Sequence, residues 1–378
     1  MIPFNKPFVS GNEAVNIQRV IEDGKFSAGG EYSSLCEIFF QQRWGFNKTL
    51  LTNSCTSALE MAALLLGIGS DDEIIMPAYT FVSTANAFLL RGAKVLFADS
   101  SAASPNMEVE QIKPLISSRT RAIVIVHYGG IACDMDPIMA LASMYGIAVV
   151  EDAAHAHDAY YKGKPLGSFG QLAAFSFHET KNITAGEAGL LVINDESFVQ
   201  KAEILHDKGT NRASFIRGQV AKYEWMDIGS SFAPSEITAA FLFAQLEMIE
   251  TVTVKRRQLV TWYYDRLTTL ARKGCYRLPE IPNYSSGNGH IVYLLCRSKS
   301  ERDGLIDFLK SKQIQASFHY QALHESPFFS RYYDGVKLPQ AMLYSDCLVR
   351  LPVYYLMTKG EVNQVADVIE QFYHQLMP

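Results

Sequence analysis

Short runs of consecutive apolar residues alternate with helix-forming segments through the first half of the chain. Strands are expected at 48–52, 73–76, 95–99, 122–127 and 147–152. Helices are expected at 12–24, 31–45, 58–66, 83–91 and 136–145, with 107–117 mostly helical. Strands that are apolar on both faces and separated by helices imply a mostly parallel sheet covered on both sides. Ligands of such sheets sit outside the carboxyl ends of the strands. The run Phe175-Ser176-Phe177 predicts a further strand end, and Leu190-Leu191-Val192-Ile193 a strand after it.

Beyond these, 195–209 reads as a helix, 210–231 as a polar and aromatic region, and 234–273 as a long helical stretch with room for a break. After a Ser/Gly/Asn loop at 283–289 come a strand (291–296), a helix (301–311), a strand (315–320) and a closing helix. That helix carries Val362, Val365, Ala366 and Ile369 at i, i+3, i+4 and i+7, one apolar face. Residues 1–12 hold two prolines and little periodicity, which predicts an extended arm. The pattern divides into a large domain, 1–250 with the arm, and a smaller α+β domain, 251–378.

Length agrees with two domains, since 378 residues exceed what one hydrophobic core serves. A charged content of 19% and a hydrophobic content of 48% are ordinary for a globular protein. The net charge of −5 gives no general attraction to nucleic acid or anionic membrane, though it permits a local basic pocket. No run approaches the roughly 18 apolar residues of a membrane span, and the first residues lack the basic-then-apolar order of a signal peptide. Six scattered cysteines without CxxC spacing predict reduced thiols in a cytoplasmic protein. Without HxxxH or HExxH, no metal site is expected.

Candidate chemistry gathers at the strand ends. Lys181 lies between two buried strands, where desolvation lowers a lysine pKa and equips the amine to attack a carbonyl; taken alone, it also reads as a strand-end lysine reaching water. The Asn53–Ser57 turn opens a strong helix, and its small polar residues can cap the helix or offer N–H groups to an anion. Asp152 ends its strand, with His155 three residues on; Phe81 follows another strand, and Ser176 precedes the lysine. Singly these read as a cap, a satisfied core histidine, a core phenylalanine and a small strand residue. Jointly they are the parts that pyridoxal 5′-phosphate (PLP) needs: an imine-forming lysine, a carboxylate for the pyridine nitrogen, an aromatic for the ring face, and hydroxyls and N–H groups for the phosphate. No GxGxxG follows the first strand, and GxxxxGK[ST] is absent, which disfavours dinucleotide and nucleoside-triphosphate sites.

In order, Ser-Cys-Thr-Ser-Ala-Leu-Glu-Met-Ala, Tyr-Thr-Phe-Val-Ser-Thr-Ala-Asn-Ala, Val-His-Tyr-Gly-Gly, Glu-Asp-Ala-Ala-His and Phe-Ser-Phe-His-Glu-Thr-Lys-Asn resemble the DegT/DnrJ/StrS sugar aminotransferases over nearly the whole chain. The Lys-Gly-Thr-Asn-Arg run at 208–212 and Ile228-Gly229-Ser230-Ser231 resemble most the WecE-type branch. The resemblance implies PLP-dependent transferase fold type I, with a mostly parallel seven-stranded sheet between helices and a smaller C-terminal α+β domain. It implies Lys181 as the Schiff-base lysine, Asp152 at the pyridine nitrogen, His155 beside the ring hydroxyl and Phe81 stacked on the ring. Cys55, Thr56 and Ser176 would take the phosphate, joined by Ser231 from a neighbouring subunit. Three positions depart from the family pattern: Cys55 stands for a glycine, Ala188 for a glycine and Ser231 for an asparagine.

The reaction implied is amination of dTDP-4-keto-6-deoxyglucose to dTDP-4-amino-4,6-dideoxygalactose with L-glutamate, for surface polysaccharide sugars, in a homodimer. The C4 epimer and a C3 amination are the alternatives within that class, and a catalytically silent sensing or assembly protein the one outside it. The cations near 208–222, above all Arg212 and Arg217, are expected to contact the nucleotide sugar, with Tyr320 contacting the sugar.

Overall fold

The computed structural model describes residues 1–376. The described residues form eleven strands: β1 (Lys48–Thr52), β2 (Glu73–Pro77), β3 (Lys94–Ala98), β4 (Thr120–Val126), β5 (Ala148–Asp152), β6 (Tyr160–Tyr161), β7 (Lys164–Pro165), β8 (Leu172–Ser176), β9 (Gly189–Ile193), β10 (Val292–Leu295) and β11 (Leu348–Leu351). Seven of them form one sheet in the order β1-β9-β8-β5-β4-β2-β3. Neighbours are parallel except around β9, which runs antiparallel to both β1 and β8. A parallel pair needs a crossover, usually a helix, to bring the chain back. The link from β8 to β9 contains no helix, so β9 returns antiparallel, and Lys181 rides on that link at the carboxyl edge of β8.

Both faces of the sheet are buried, which accounts for the continuous apolar runs. On one face Ile75, Ile123, Val149 and Phe175 pack with Phe40, Trp44, Ile138 and Leu242 from helices Glu31–Trp44, Met135–Tyr145 and Glu236–Leu246. On the other Ile74, Val124, Val150 and Leu191 pack with Leu59 and Ala62 of helix Cys55–Leu65, and with Tyr293, Leu323 and Tyr344 from the C-terminal part. A third core joins Leu259, Tyr263, Leu294, Val349, Val362, Val365 and Ile369. Ile2 of the N-terminal arm belongs to it, bridged to Ile314. The long helical stretch is broken: Glu236–Leu246 and Ile249–Arg272 meet at 59°. No single helix among the described residues is long and apolar enough to cross a membrane.

Several elements differ from expectation. The stretch 315–320 is not a strand: Ser317 forms one isolated bridge to Arg350, and Tyr320 takes a left-handed φ of 48° that no strand accommodates. The partner of β10 is instead β11, which follows an unanticipated helix, Pro339–Cys347. The helix expected over 107–117 shrinks to Val109–Ile112 with a 3-10 turn, Lys113–Leu115, because Pro114 has no N–H to donate. That expected over 195–209 begins as a 3-10 turn and is α-helical only over Val199–His206; Lys208 and Gly209 then turn left-handed.

One glycine sets the spacing at the site's edge. A Cβ on Gly189, the first residue of β9, would fall on the Ser54–Cys55 peptide. Only a glycine lets β9 press against the turn that opens helix Cys55–Leu65. Gly189→Ala is expected to cost about 1–3 kcal/mol by overpacking. Urea denaturation should register the loss, and the same substitution should weaken anion retention at the turn.

Candidate active site

A cavity of about 500 Å3 opens at the carboxyl ends of β4, β5 and β8. Its wall brings together Cys55, Thr56, Phe81, Asp152, His155, Ser176, Lys181 and Tyr320. These residues come from five separate stretches and meet because the sheet places successive strand ends side by side. Ser231, Arg212 and Arg217 are not on that wall. Ser231 is exposed, and its carbonyl accepts a 3.2 Å hydrogen bond from Asn53 Nδ2. Arg212 pairs with Asp207 at 3.2 Å, and Arg217 grips both oxygens of Glu203 at 3.0 and 2.6 Å.

The opening of helix Cys55–Leu65 leaves its first backbone N–H groups facing the cavity wall. Ser54 takes the extended cap conformation, and its Oγ accepts the Ser57 N–H at 3.1 Å. The N–H groups of Cys55 and Thr56 have no partner within the helix, as at any helix start, and lie at its positive dipole end. Thr56 Oγ1 donates to Ser83 Oγ at 2.7 Å, which fixes its rotamer. Burial pushes the Cys55 thiol well above its ordinary range, so it adds no negative charge. Ser176, buried at the end of β8, accepts the His178 N–H on its Oγ at 3.4 Å, and its carbonyl is held by His157 Nε2 at 2.7 Å.

Asp152 is buried and has two donors: Thr84 Oγ1 at 2.7 Å and the Ala154 N–H at 3.2 Å. Burial pushes its pKa up further than these donors and the Lys181 charge pull it down. It is a carboxylate short of compensation, facing a cavity. His155 accepts the Gly129 N–H on Nδ1 at 3.3 Å, which leaves Nε2 to carry the proton, 3.4 Å from the Tyr320 hydroxyl. Burial, followed by the charges of Lys181, His319 and Arg350, holds its pKa well below the ordinary range, so the ring is neutral. Its carbonyl accepts from Asn288 Nδ2 at 2.8 Å, and its ring packs against His290 with centroids 4.4 Å apart. Phe81 is 54% exposed at the mouth, its ring 6.1 Å from that of Tyr320. The left-handed backbone at Tyr320 aims that ring inward, stacked on His319 at 3.6 Å.

Burial pushes the Lys181 pKa down to about 8; Cys55 and Asp152 act against the fall, and Arg350 adds to it. Sequence reasoning passed over four wall residues or supports: Thr84, His290, His319 and Arg350. Thr84 lies within the quoted Tyr-Thr-Phe-Val-Ser-Thr run and His319 precedes Tyr320, so neighbours of the chosen residues held that signal. His290 and Arg350 carried none that spacing exposes.

The donor set fits PLP. An amine with a depressed pKa suits the aldehyde, an under-compensated carboxylate suits a protonated ring nitrogen, and a helix start with free N–H groups suits the phosphate. A pKa near 8 would leave about half of the Lys181 amines neutral at pH 8 in the cofactor-free protein, against very few of an ordinary lysine. Lys181 should therefore be acylated with a midpoint near pH 8, read by peptide mass mapping across pH 6–11. Asp152→Asn removes a charge that favours the ammonium, so the midpoint should move to lower pH.

The model of the DegT/DnrJ/EryC1/StrS aminotransferase family matches residues 9–370. Among solved structures, an aminotransferase from Psychrobacter cryohalolentis is 26% identical, with a TM-score of 0.93 and full coverage of both chains. A putative sugar aminotransferase from Streptococcus pneumoniae in its PMP form is 22% identical, with a TM-score of 0.92 over the whole of both chains. PseC of Helicobacter pylori, an aminotransferase involved in the biosynthesis of pseudoaminic acid, is 23% identical, with a TM-score of 0.91 over 99% of each chain. The architecture is that of PLP-dependent fold type I, and the chain belongs to the DegT/DnrJ/EryC1/StrS family of PLP-dependent sugar aminotransferases.

Proposed function

We propose that the enzyme moves the amino group of L-glutamate onto C4 of dTDP-4-keto-6-deoxyglucose. The product would be dTDP-4-amino-4,6-dideoxygalactose, made in the cytoplasm for surface polysaccharide. The observation that carries the transaminase part is Lys181, an amine of depressed pKa facing the buried Asp152 across a cavity wide enough for a sugar. The sugar part is supported by the sugar chemistry of the family and by the likeness of 208–212 and 228–231 to the WecE-type branch.

When bound there, PLP would supply an electron sink for the carbon that bears the transferred nitrogen. Lys181 Nζ, its pKa lowered to about 8, would take up and return the proton at the reacting carbon. Asp152 would keep the ring nitrogen protonated, its carboxylate held by the Thr84 hydroxyl. His155, neutral and fixed by Gly129 and Asn288, positions the ring hydroxyl. Cys55, Thr56 and Ser176 anchor the phosphate. Phe81 covers the ring, and Tyr320 lies beside the sugar.

The working unit in this reading is a homodimer. Tyr223, Trp225, Met226 and Ile228 are all more than half exposed, Trp225 at 81%. A surface segment this apolar calls for a covering partner, and it runs directly into Ser231. Packed against a second copy, it would carry Ser231 to the partner's phosphate and Arg212 and Arg217 toward the partner's nucleotide.

Stopped-flow measurement of each half-reaction tests the substrate. Wild type should convert dTDP-4-keto-6-deoxyglucose, with the C4 configuration of the product read by NMR. Asp152→Asn should slow the glutamate half at least about 100-fold. Turnover of no nucleotide-linked keto sugar would reject the substrate class, and the opposite C4 configuration or a C3 amine would replace the product. Assembly is tested by mixing. A Lys181→Ala subunit combined with an Arg212→Ala, Arg217→Ala subunit should regain part of the lost sugar half-reaction. An active monomer in sedimentation would reject the shared site.

A further inference from the structure

A second cavity, of about 770 Å3, lies where the end of helix Ile249–Arg272, the chain after it, β10 and helix Pro339–Cys347 meet the loop after β3. It shares no lining residue with the cofactor cavity. Its size and its place at a junction of two folded parts are those of a small-molecule site. Four tyrosines line it: Tyr264, Tyr276, Tyr293 and Tyr344. Three of their hydroxyls are spent within the chain. Tyr264 donates to the Pro279 carbonyl at 2.5 Å, Tyr276 to that of Leu267 at 3.0 Å and Tyr344 to that of Ala102 at 3.3 Å. Tyr293 is the exception. It leaves β10 on the same face as Leu295, and both border the cavity. It is only 3% exposed, yet among the described residues its hydroxyl has no hydrogen-bond partner. A buried phenol ordinarily finds one.

The rim carries charge that the fold does not use. Arg272, Arg277 and Glu280 are exposed there, and none of the three forms an ion pair among the described residues. Other arginines of the C-terminal part are paired: Arg266 with Asp367 at 2.6 Å and Arg297 with Glu301 at 2.7 Å. Arg277 is fixed by its backbone, which exchanges hydrogen bonds of 3.0 and 2.9 Å with Leu295. Its Nη1 donates to the Ala102 carbonyl at 3.1 Å, which leaves the rest of the guanidinium fork free. Burial keeps the Tyr293 and Tyr344 phenols neutral, and the Arg277 charge pulls both the other way, so its guanidinium lies close to both.

These features select a ligand. Two unpaired guanidiniums call for a group with more than one negative charge, and phosphate oxygens match the arginine fork. Phenol rings beside a cation suit a flat ring. A carboxylate that leaves its arginine neighbours unpaired can accept from hydroxyls, as an acidic residue does from the ribose of a dinucleotide. An amino acid would occupy one arginine, Glu280 and one ring, and would leave much of the cavity empty. We propose that this cavity is a second, non-catalytic site that binds a ribonucleoside diphosphate. Arg272 and Arg277 take the phosphates, Glu280 accepts from the ribose hydroxyls, and the Tyr293 hydroxyl meets the edge of the base. The site stands apart from the transaminase reading, which concerns the other cavity.

The test titrates holoenzyme with ADP, GDP and UDP by calorimetry and soaks crystals with the one that binds best. The nucleotide should lie in the Tyr293 cavity. Arg272→Ser combined with Arg277→Ser should weaken it about 30-fold or more, while the rate of the glutamate half-reaction is unchanged. The 2′-deoxy counterpart should bind at least about 5-fold more weakly than the ribonucleotide, and Glu280→Gln should erase that difference. Tyr293→Phe should weaken the nucleotide about 5-fold. It should not lower the melting temperature of the nucleotide-free protein, because the lost hydroxyl has no partner in the fold. Nucleotide found only in the cofactor cavity overturns the proposal, and so does binding that the arginine pair leaves unchanged. Absence of binding by all three at millimolar concentration overturns it as well. Occupation of the cavity by free L-tyrosine or L-phenylalanine in their place would make it an amino-acid site instead. A lower melting temperature for nucleotide-free Tyr293→Phe would make that hydroxyl part of the scaffold and remove it from the site.

Discussion

Charge held out of water at the carboxyl end of β5 is the constraint on which the rest depends. Glu151 and Asp152 are adjacent, so their side chains leave the strand on opposite faces. Glu151 is completely buried and accepts four hydrogen bonds: from His127 Nε2 at 3.0 Å and from the N–H groups of Gly167, Phe169 and Gly170 at 2.7, 2.6 and 2.8 Å. Burial pushes its pKa up, but His127 and these backbone donors outweigh that and hold it below the ordinary range. Its neighbour has only two donors and a raised pKa. The same functional group, one residue apart, is structural where it is saturated and chemical where it is not. The saturated one ties the end of β4, the end of β5 and the 167–170 turn together, and so keeps the other pointing into the cavity.

How much of this could be read beforehand followed the range of the interactions. Asp152, Lys181 and the Cys55–Thr56 turn announce themselves locally: each ends or follows an apolar run, and a parallel sheet lines such ends up. That they share one cavity with Phe81, His155 and Ser176 was therefore legible. Arg350 was not, because a four-residue strand with a cation in it does not read as apolar alternation, and its guanidinium meets a residue as distant as Phe4. The misread strand at 315–320 has the same origin. Ser317 bonds Arg350, but the left-handed backbone of Tyr320 answers to the cavity rather than to a neighbouring strand. Ser231, Arg212 and Arg217 belong to a third case, since one chain alone holds them off its own cavity.

The two parts of the chain are joined through polar contacts at the site rather than by apolar packing alone. Asn288 gives its amide to the carbonyls of His155 and His157 and accepts the His290 N–H at 3.0 Å; His290 in turn meets Asn182, one residue beyond the lysine, at 2.8 Å. Asn288 is completely buried, so each of these bonds would leave an unpaired group if broken. The lysine loop, the histidine after β5 and the entrance to β10 are thereby held as one unit.

That wall also dictates an order of events during biosynthesis. Its residues run from Ser54 to Arg350, so a ribosome must release nearly all of them before the cavity is whole. The last strand of the large sheet ends at Ile193, while His290, His319, Tyr320 and Arg350, which close the far side, leave the ribosome later. A cofactor arriving during translation would find half a pocket. The whole wall exists for a cofactor only once Arg350 has emerged, whereas the partners of Glu151 all lie before residue 171.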